Sequence, residues 1–178
     1  MELISNKYRK DNEQFHHDCF DYGGGGSRRL VQVCAVIDEY SSLHILDYGS
    51  GKGDLTKTLR GVYPHKLIYE YDPCMEGKTS ILRIPYDFVI CNDVMEHVEI
   101  EFLDNVLAHI ESLTGGVCFF CIGLRPANKI LPDGRNTHIT LLSKEIWVSK
   151  IKEHFNVEDI YMIGSGKLCV ICKTKMEH

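Results

Sequence analysis

No stretch of this sequence approaches the ~18 consecutive apolar residues that a membrane span requires. Its opening, MELISNKYRK, also lacks the apolar centre of a signal peptide. A soluble, cytoplasmic protein is therefore expected. A surplus of positive charge is missing as well. With 25 acidic against 20 basic residues the formal charge is −5, so no global field would gather nucleic acid non-specifically. A local basic rim built from Arg28, Arg29, Arg125, Lys129 and Arg135 stays open. There is no internal repeat, and the one low-complexity run, GGGG at Gly23 to Gly26, is too short to link two domains. A length of 178 residues suits one domain with a full core. Residues 1–26 are read as an N-terminal segment and candidate lid, and 27–178 as the main domain.

Cysteine, by contrast, is plentiful. Eight are present, and two C-x-x-C pairs, Cys118/Cys121 and Cys169/Cys172, imitate a four-thiolate zinc site. Each pair lies in an apolar run, VCFFCI or LCVICK, without a glycine knuckle. Residues i and i+3 of a strand point to opposite faces, so core packing in a reducing compartment is expected, with no metal. His16 and His17 show no metal-ligand spacing and read as ordinary surface.

Apolar spacing predicts a helix over Arg28 to Tyr40, a strand LHILDYG, a helix DLTKTLRGVY stopped by Pro64, and strands KLIYEYDP and DFVICND. Next come a helix from Ile100 to Leu113 closed by Gly115 and Gly116, a strand VCFFCIG, a helix starting near Ser143, and two last strands joined tightly enough for a hairpin. Strands alternating with helices predict an α/β sheet, mostly parallel, with one antiparallel strand at the end. In such sheets ligands bind beyond the carboxyl ends of the strands. The glycine loop after the first strand, the end of YEYDP and the end of ICND should therefore converge.

The loop itself, ILDYGSGKGD, narrows the ligand. A dinucleotide loop wants G-x-G-x-x-G, but Asp54 stands three positions after Gly51. A phosphate loop wants G-x-x-x-x-G-K-[ST], and none is present. What remains is Asp47 followed by Gly49, Gly51 and Gly53: a carboxylate able to meet an ammonium group, and a backbone that a ligand can approach closely. A nucleoside with a cationic amino-acid tail and no phosphate, such as S-adenosylmethionine, has that chemistry. The alternative is that the glycines only make a tight turn. Glu70 and Asp72 lie 17 and 19 residues beyond Gly53, near the offset of about 20 at which nucleotide folds place a ribose-binding acid, and either could serve.

LHILDYGSGKGDLTKTL, LIYEYDP and YDFVICNDVMEHV resemble motifs of the class I S-adenosylmethionine-dependent methyltransferases, and DVMEHV resembles the signature of the small-molecule type within that superfamily. YGGGGSRR and RPANKILPDGRNTHI are similar to segments of small methyltransferase-domain proteins often found in bacteriophages. The resemblance runs from about Tyr22 to the end of the chain. It implies a Rossmann-like, three-layer fold and S-adenosylmethionine as cofactor. It further implies contacts from Asp47, Gly49, Gly51 and Gly53 to the methionine tail, from Glu70 or Asp72 to the ribose, and from Asn92 and Asp93 at the end of the third strand. One departure stands out. Only about fourteen residues separate YEYDP from DFVIC, too few for the strand and helix that the family fits there. The sheet edge should be abbreviated, with no obvious reader of the adenine, and a second copy of the chain is a candidate to close it.

Methyl transfer needs a base only where the acceptor must lose a proton. Candidates are His97 and His138, with Glu96 behind them. The expected acceptor is a small molecule. A nucleic-acid acceptor is the rival: no NPPY or DPPY follows the third strand, and no Pro-Cys nucleophile is present. A non-catalytic cofactor-binding module is the other.

Overall fold

The computed structural model describes residues 1–24 and 26–175, so that Gly25 of the glycine run lies outside the described residues. Six strands form one sheet: β1 (His44–Tyr48), β2 (Leu67–Tyr71), β3 (Tyr86–Asn92), β4 (Thr114–Gly123), β5 (Phe155–Ile163) and β6 (Lys167–Thr174). Their order is β2-β1-β3-β4-β6-β5. The first four are parallel, while β6 runs antiparallel between β4 and β5. The expected antiparallel strand is thus last in the sequence but interior to the sheet. The abbreviated edge is present too, because β2 is the border strand and residues 73–85 form neither helix nor strand.

Two apolar layers clamp the sheet. On one face α4 (Leu103–Leu113) and α5 (Lys144–His154) bury Val106, Leu107, Ile110, Trp147 and Ile151 against Leu46, Val89, Phe120 and Val170. On the other, α2 (Leu30–Glu39) and α3 (Asp54–Val62) bury Val33, Ile37, Leu55 and Leu59 against Ile45, Phe88, Ile90 and Phe119. Strand β4 reads as an unbroken apolar run because both of its faces are covered. The four C-x-x-C cysteines pair across β4 and β6, Cys118 opposite Cys172 and Cys121 opposite Cys169. The first pair lies in one apolar layer and the second in the other, so the sheet itself separates them.

Three local expectations need correction. Gly115 and Gly116 do not cap α4: the chain passes from Leu113 straight into β4, and a side chain at Gly116 would collide with the Asp87 backbone, 2.4 Å from where its Cβ would sit. Val62, whose helical spacing with Leu55 and Leu59 predicts a place on the buried face of α3, is 50% exposed. The N-terminal segment holds a helix, α1 (Asn6–Asp18), that apolar periodicity could not reveal. Tyr8 and Phe15 are its only apolar residues, so it has no apolar stripe. It is held instead by polar ties: Ser5 caps it, and the Ser5 N–H and hydroxyl both donate to the Glu99 carboxylate, at 2.8 and 2.7 Å.

Candidate active site

The carboxyl ends of β1, β2 and β3 open into a cavity of about 460 Å³, within the usual range for small-molecule sites. Of the residues singled out in the sequence, Asp47, Gly49, Gly51, Asp72, Asn92, Asp93, His97 and His138 line it. Gly53, Glu70 and Glu96 do not.

The loop after β1 folds as its glycines require. Gly49, Gly51 and Gly53 all have positive φ, at 74°, 51° and 84°, a region that disfavours any residue with a Cβ. Close approach adds a second reason. A Cβ at Gly51 would lie 2.5 Å from the Gly23 carbonyl oxygen, and one at Gly53 would lie 2.4 Å from Glu70. Gly53 therefore serves as the N-cap residue of α3 and as clearance for Glu70. Glu70 is bound to Lys78 at 2.7 Å and to Arg60 at 3.3 Å, and faces a separate, smaller cavity. Of the two candidate acids at the end of β2, the structure brings only Asp72 to the main cavity. Its carboxylate accepts from the Gly51 and Cys74 N–H groups, each at 2.8 Å.

Asp47 sits at the bottom of the same end. It is almost wholly buried, and one oxygen accepts from the Thr56 hydroxyl at 2.8 Å. Burial raises its pKa to about 6, against the Thr56 hydrogen bond, which lowers it. The Lys78 ammonium, which donates to the Gly51 carbonyl at 2.8 Å, also lowers it through its charge without bonding the Asp47 carboxylate.

The opposite end is built from two loops and β6. Glu96, in a single 3-10 turn after β3 (Met95–His97), is fully buried, and its Oε1 accepts from the Gly123 N–H at 2.6 Å and the Lys167 ammonium at 3.1 Å. Burial pushes the Glu96 pKa up, but His97, Lys167 and His138 together outweigh it and hold the group below the usual glutamate value. Lys167 also bonds Asp93, which adopts a left-handed backbone with φ 57°. Sequence reasoning missed this lysine, which lies 71 positions from Glu96 and carries no motif.

His97 and His138 meet edge to face with ring centres 4.9 Å apart. His138 Nδ1 lies 2.6 Å from the Arg125 carbonyl, which assigns the proton of the neutral ring to Nδ1 and leaves Nε2 free, 3.9 Å from Glu96. Burial lowers the His97 pKa, with Glu96 acting in the other direction, so His97 is neutral at pH 7. Glu96, His97 and His138 place potential ligand atoms within 4.8 Å of one another, and the Lys167 ammonium supplies the positive charge at that spot.

Three further residues came from outside the sequence motifs, Tyr8, Asn12 and His16 of α1. With Tyr22, which opens the YGGGGSRR segment, they line the cavity. His16 is therefore not ordinary surface, although His17 is exposed. The Tyr22 hydroxyl donates to Asn12 at 3.0 Å and lies 3.5 Å from His97 Nδ1. The chain after α1 is tied to the glycine loop, where the Lys52 N–H donates to the Gly23 carbonyl at 3.0 Å. Phe20, by contrast, is 94% exposed. Of the expected basic rim, Arg28 and Lys129 reach the cavity, but Lys129 is paired with Asp21 and Arg135 with Asp133.

Buried polar atoms normally find partners. Tyr8 Oη, His16 Nδ1, Ser50 Oγ and both amide atoms of Asn92 have none among the described residues, and all four residues line this one cavity.

A family model described as a methyltransferase domain matches residues 25–159. The chain belongs to that family. No curated protein matches it. Among solved structures, the methyltransferase is similar to 1,6-didemethyltoxoflavin-N1-methyltransferase from Burkholderia thailandensis, determined with 1,6-didemethyltoxoflavin and S-adenosylhomocysteine. The TM-score is 0.73 at 14% identity, over 99% of this chain and 93% of that one. It is also similar to the N-methyltransferase NodS from Bradyrhizobium japonicum WM9, solved with S-adenosylhomocysteine, at a TM-score of 0.66 and 12% identity over 96% and 100% of the two chains. A third is magnesium protoporphyrin IX methyltransferase from Synechocystis PCC 6803, solved with S-adenosylmethionine, at 0.62 and 15% identity over 98% and 100%. At these identities the likeness is one of fold, the Rossmann-like methyltransferase sheet, which in this chain ends at β2.

Proposed function

We propose that this methyltransferase binds S-adenosylmethionine in the cavity at the ends of β1 to β3 and transfers its methyl group to a small-molecule nucleophile. The observation that carries the reading is the set of buried polar atoms, without partners among the described residues, that converge on one cavity beside a buried Asp47. The donor set suits that cofactor. Asp47 and the glycine-loop backbone would hold the ammonium and carboxylate of the tail, Asp72 the ribose hydroxyls, and Asn92 a further polar group. The cofactor supplies a methyl on a sulfonium, leaving as S-adenosylhomocysteine.

The chain's own part is alignment and proton handling. Methyl transfer is an in-line displacement, and holding the acceptor in register supplies much of the rate. His97, neutral and with Nδ1 turned toward Tyr22, is placed to take a proton from an acceptor hydroxyl or amine. Glu96 stabilises the imidazolium that forms, and His138, fixed by the Arg125 carbonyl, holds the His97 ring. Lys167 keeps Glu96 ionised in the buried floor. A small acceptor is favoured because α1 and Tyr22 wall the cavity and the rim lysine is already paired. The toxoflavin and porphyrin methyltransferases of the same fold carry names of small-molecule acceptors.

The test is release of S-adenosylhomocysteine from S-adenosylmethionine against separate pools of metabolites, RNA and protein. Turnover with the metabolite pool alone is expected. Turnover confined to RNA or protein would overturn the acceptor class, and absence of binding to either cofactor form would overturn the whole reading.

A further inference from the structure

The sheet edge that ends at β2 raises a specific problem. Residues 73–85 contribute no helix or strand, so no structured element of the main domain extends beyond Asp72 to read the nucleoside. Helix α1 stands there instead. Tyr8, Asn12 and His16 are spaced four apart, which puts them on one helix face, and all three line the cavity together with Asp72, Pro73 and Cys74. Two of them present unused polar atoms. Tyr8 is 3% exposed with no partner for its hydroxyl, and the buried Nδ1 of His16 has none either. Asn12 is already satisfied, donating to the Tyr8 carbonyl and accepting from Tyr22.

Resting on the cofactor reading above, we infer that α1 is a built part of the nucleoside pocket. Tyr8 and His16 supply the hydrogen bonds to adenine and ribose that the missing edge strand does not. The chemistry matches. A phenol can donate to an adenine ring nitrogen or accept from the exocyclic amine, and a neutral imidazole beside Asp72 complements a diol that both donates and accepts. The same geometry makes α1 a ligand-dependent element. It lacks an apolar stripe, and its segment is tied to the main domain by polar contacts, Ser5–Glu99, Lys7–Asp133, Gly23–Lys52 and the Lys52 ammonium on the Cys19 and Phe20 carbonyls, to which a bound nucleoside would add its own.

The experiment compares two ligands by calorimetry, S-adenosylhomocysteine and 5′-methylthioadenosine, which keeps the nucleoside but lacks the amino-acid tail. Tyr8→Phe removes a hydroxyl without a partner among the described residues, so its melting temperature without ligand should hold, whereas His16→Gln also removes a ring centred 4.6 Å from that of Tyr22 and is compared at matched folded fraction. Each variant should weaken both ligands by the same factor, roughly three- to ten-fold for one hydrogen bond. Asp47→Asn should weaken only the ligand that carries the tail. S-Adenosylhomocysteine should also slow proteolytic cleavage within residues 1–24 of the native chain. Wild-type affinity for both ligands in Tyr8→Phe and His16→Gln would overturn the inference while leaving the cofactor reading intact. Failure of the native protein to bind S-adenosylhomocysteine would overturn both.

Discussion

The two ends of the cavity are built on opposite principles. The glycine-loop end presents carboxylates, Asp47 and Asp72, without a cationic side chain among their direct hydrogen-bond partners. Lys78, on the Gly51 carbonyl and Glu70, is the nearby cation, and the proposed cofactor would bring a second. The histidine end carries its own counter-charge, because Glu96 and Asp93 share the Lys167 ammonium and the neighbouring His97 is kept neutral by burial. On the proposed function the first end binds the cofactor and the second takes up a proton. Burial acts in opposite senses on the two ends, raising the pKa of Asp47 and lowering that of His97.

The division is broken most directly at His97. His97→Gln should lower turnover by about 10²- to 10⁴-fold, the usual worth of a positioned base, while S-adenosylhomocysteine affinity stays within about threefold of wild type. Calorimetry and steady-state rates on the same preparation check this. An equal loss in both would show that the two ends act as one.

Lys167→Met comes next. It strands Glu96 as an unpaired charge in the floor, and breaking a buried pair is costly. Allowing for the partial exposure of Lys167, a loss of about 2 kcal/mol in denaturant unfolding is expected, and the double variant Lys167→Met with Glu96→Gln should recover most of it.

Asp47→Asn sharpens the other half through two opposite effects. Loss of the charged partner should weaken S-adenosylhomocysteine by roughly ten- to a hundred-fold. The sign for the ligand-free protein is reversed. A carboxyl whose folded pKa is raised to about 6 contributes stability at low pH that is lost as pH rises from its unfolded value through 6. At pH 7 the native protein therefore carries a cost that Asn lacks. Asp47→Asn should unfold at higher denaturant by about 1–3 kcal/mol. Lower ligand-free stability at pH 7 would contradict the buried-acid account.

The smallest effect is one of pH on binding. Wild-type affinity for S-adenosylhomocysteine should be flat from pH 7 to 8 and fall below about pH 6, at up to tenfold per pH unit, as Asp47 takes up a proton. The slope should vanish in Asp47→Asn.

What could be read in advance divides along the same line. The acid end comes from the carboxyl ends of β1 and β2 and the loops that follow them, so the strand-loop-helix order alone predicts that Asp47, Gly51 and Asp72 meet. The periodicity offers Glu70 and Asp72 alike, because both occupy one strand face; in the structure Glu70 is paired with Lys78 and Arg60 away from the main cavity, and Asp72 lines it. The histidine end joins residues 96, 97, 138 and 167, which lie on two loops and β6. Glu96, His97 and His138 could be nominated as chemistry-bearing side chains, but their meeting point, and Lys167 beneath them, depend on β6 inserting between β4 and β5.

The sequence by itself determined the layers, through apolar periodicity that only buried faces explain, the left-handed loop that only glycine relieves, and the missing edge strand, through a segment too short to build one. Tertiary structure alone decided where α1 goes, since a helix with two apolar residues carries no periodic signal of its partner. It alone also decided which buried polar groups remain unmet, because satisfaction of a hydrogen bond is a property of neighbours brought together by the fold and not of the residue itself.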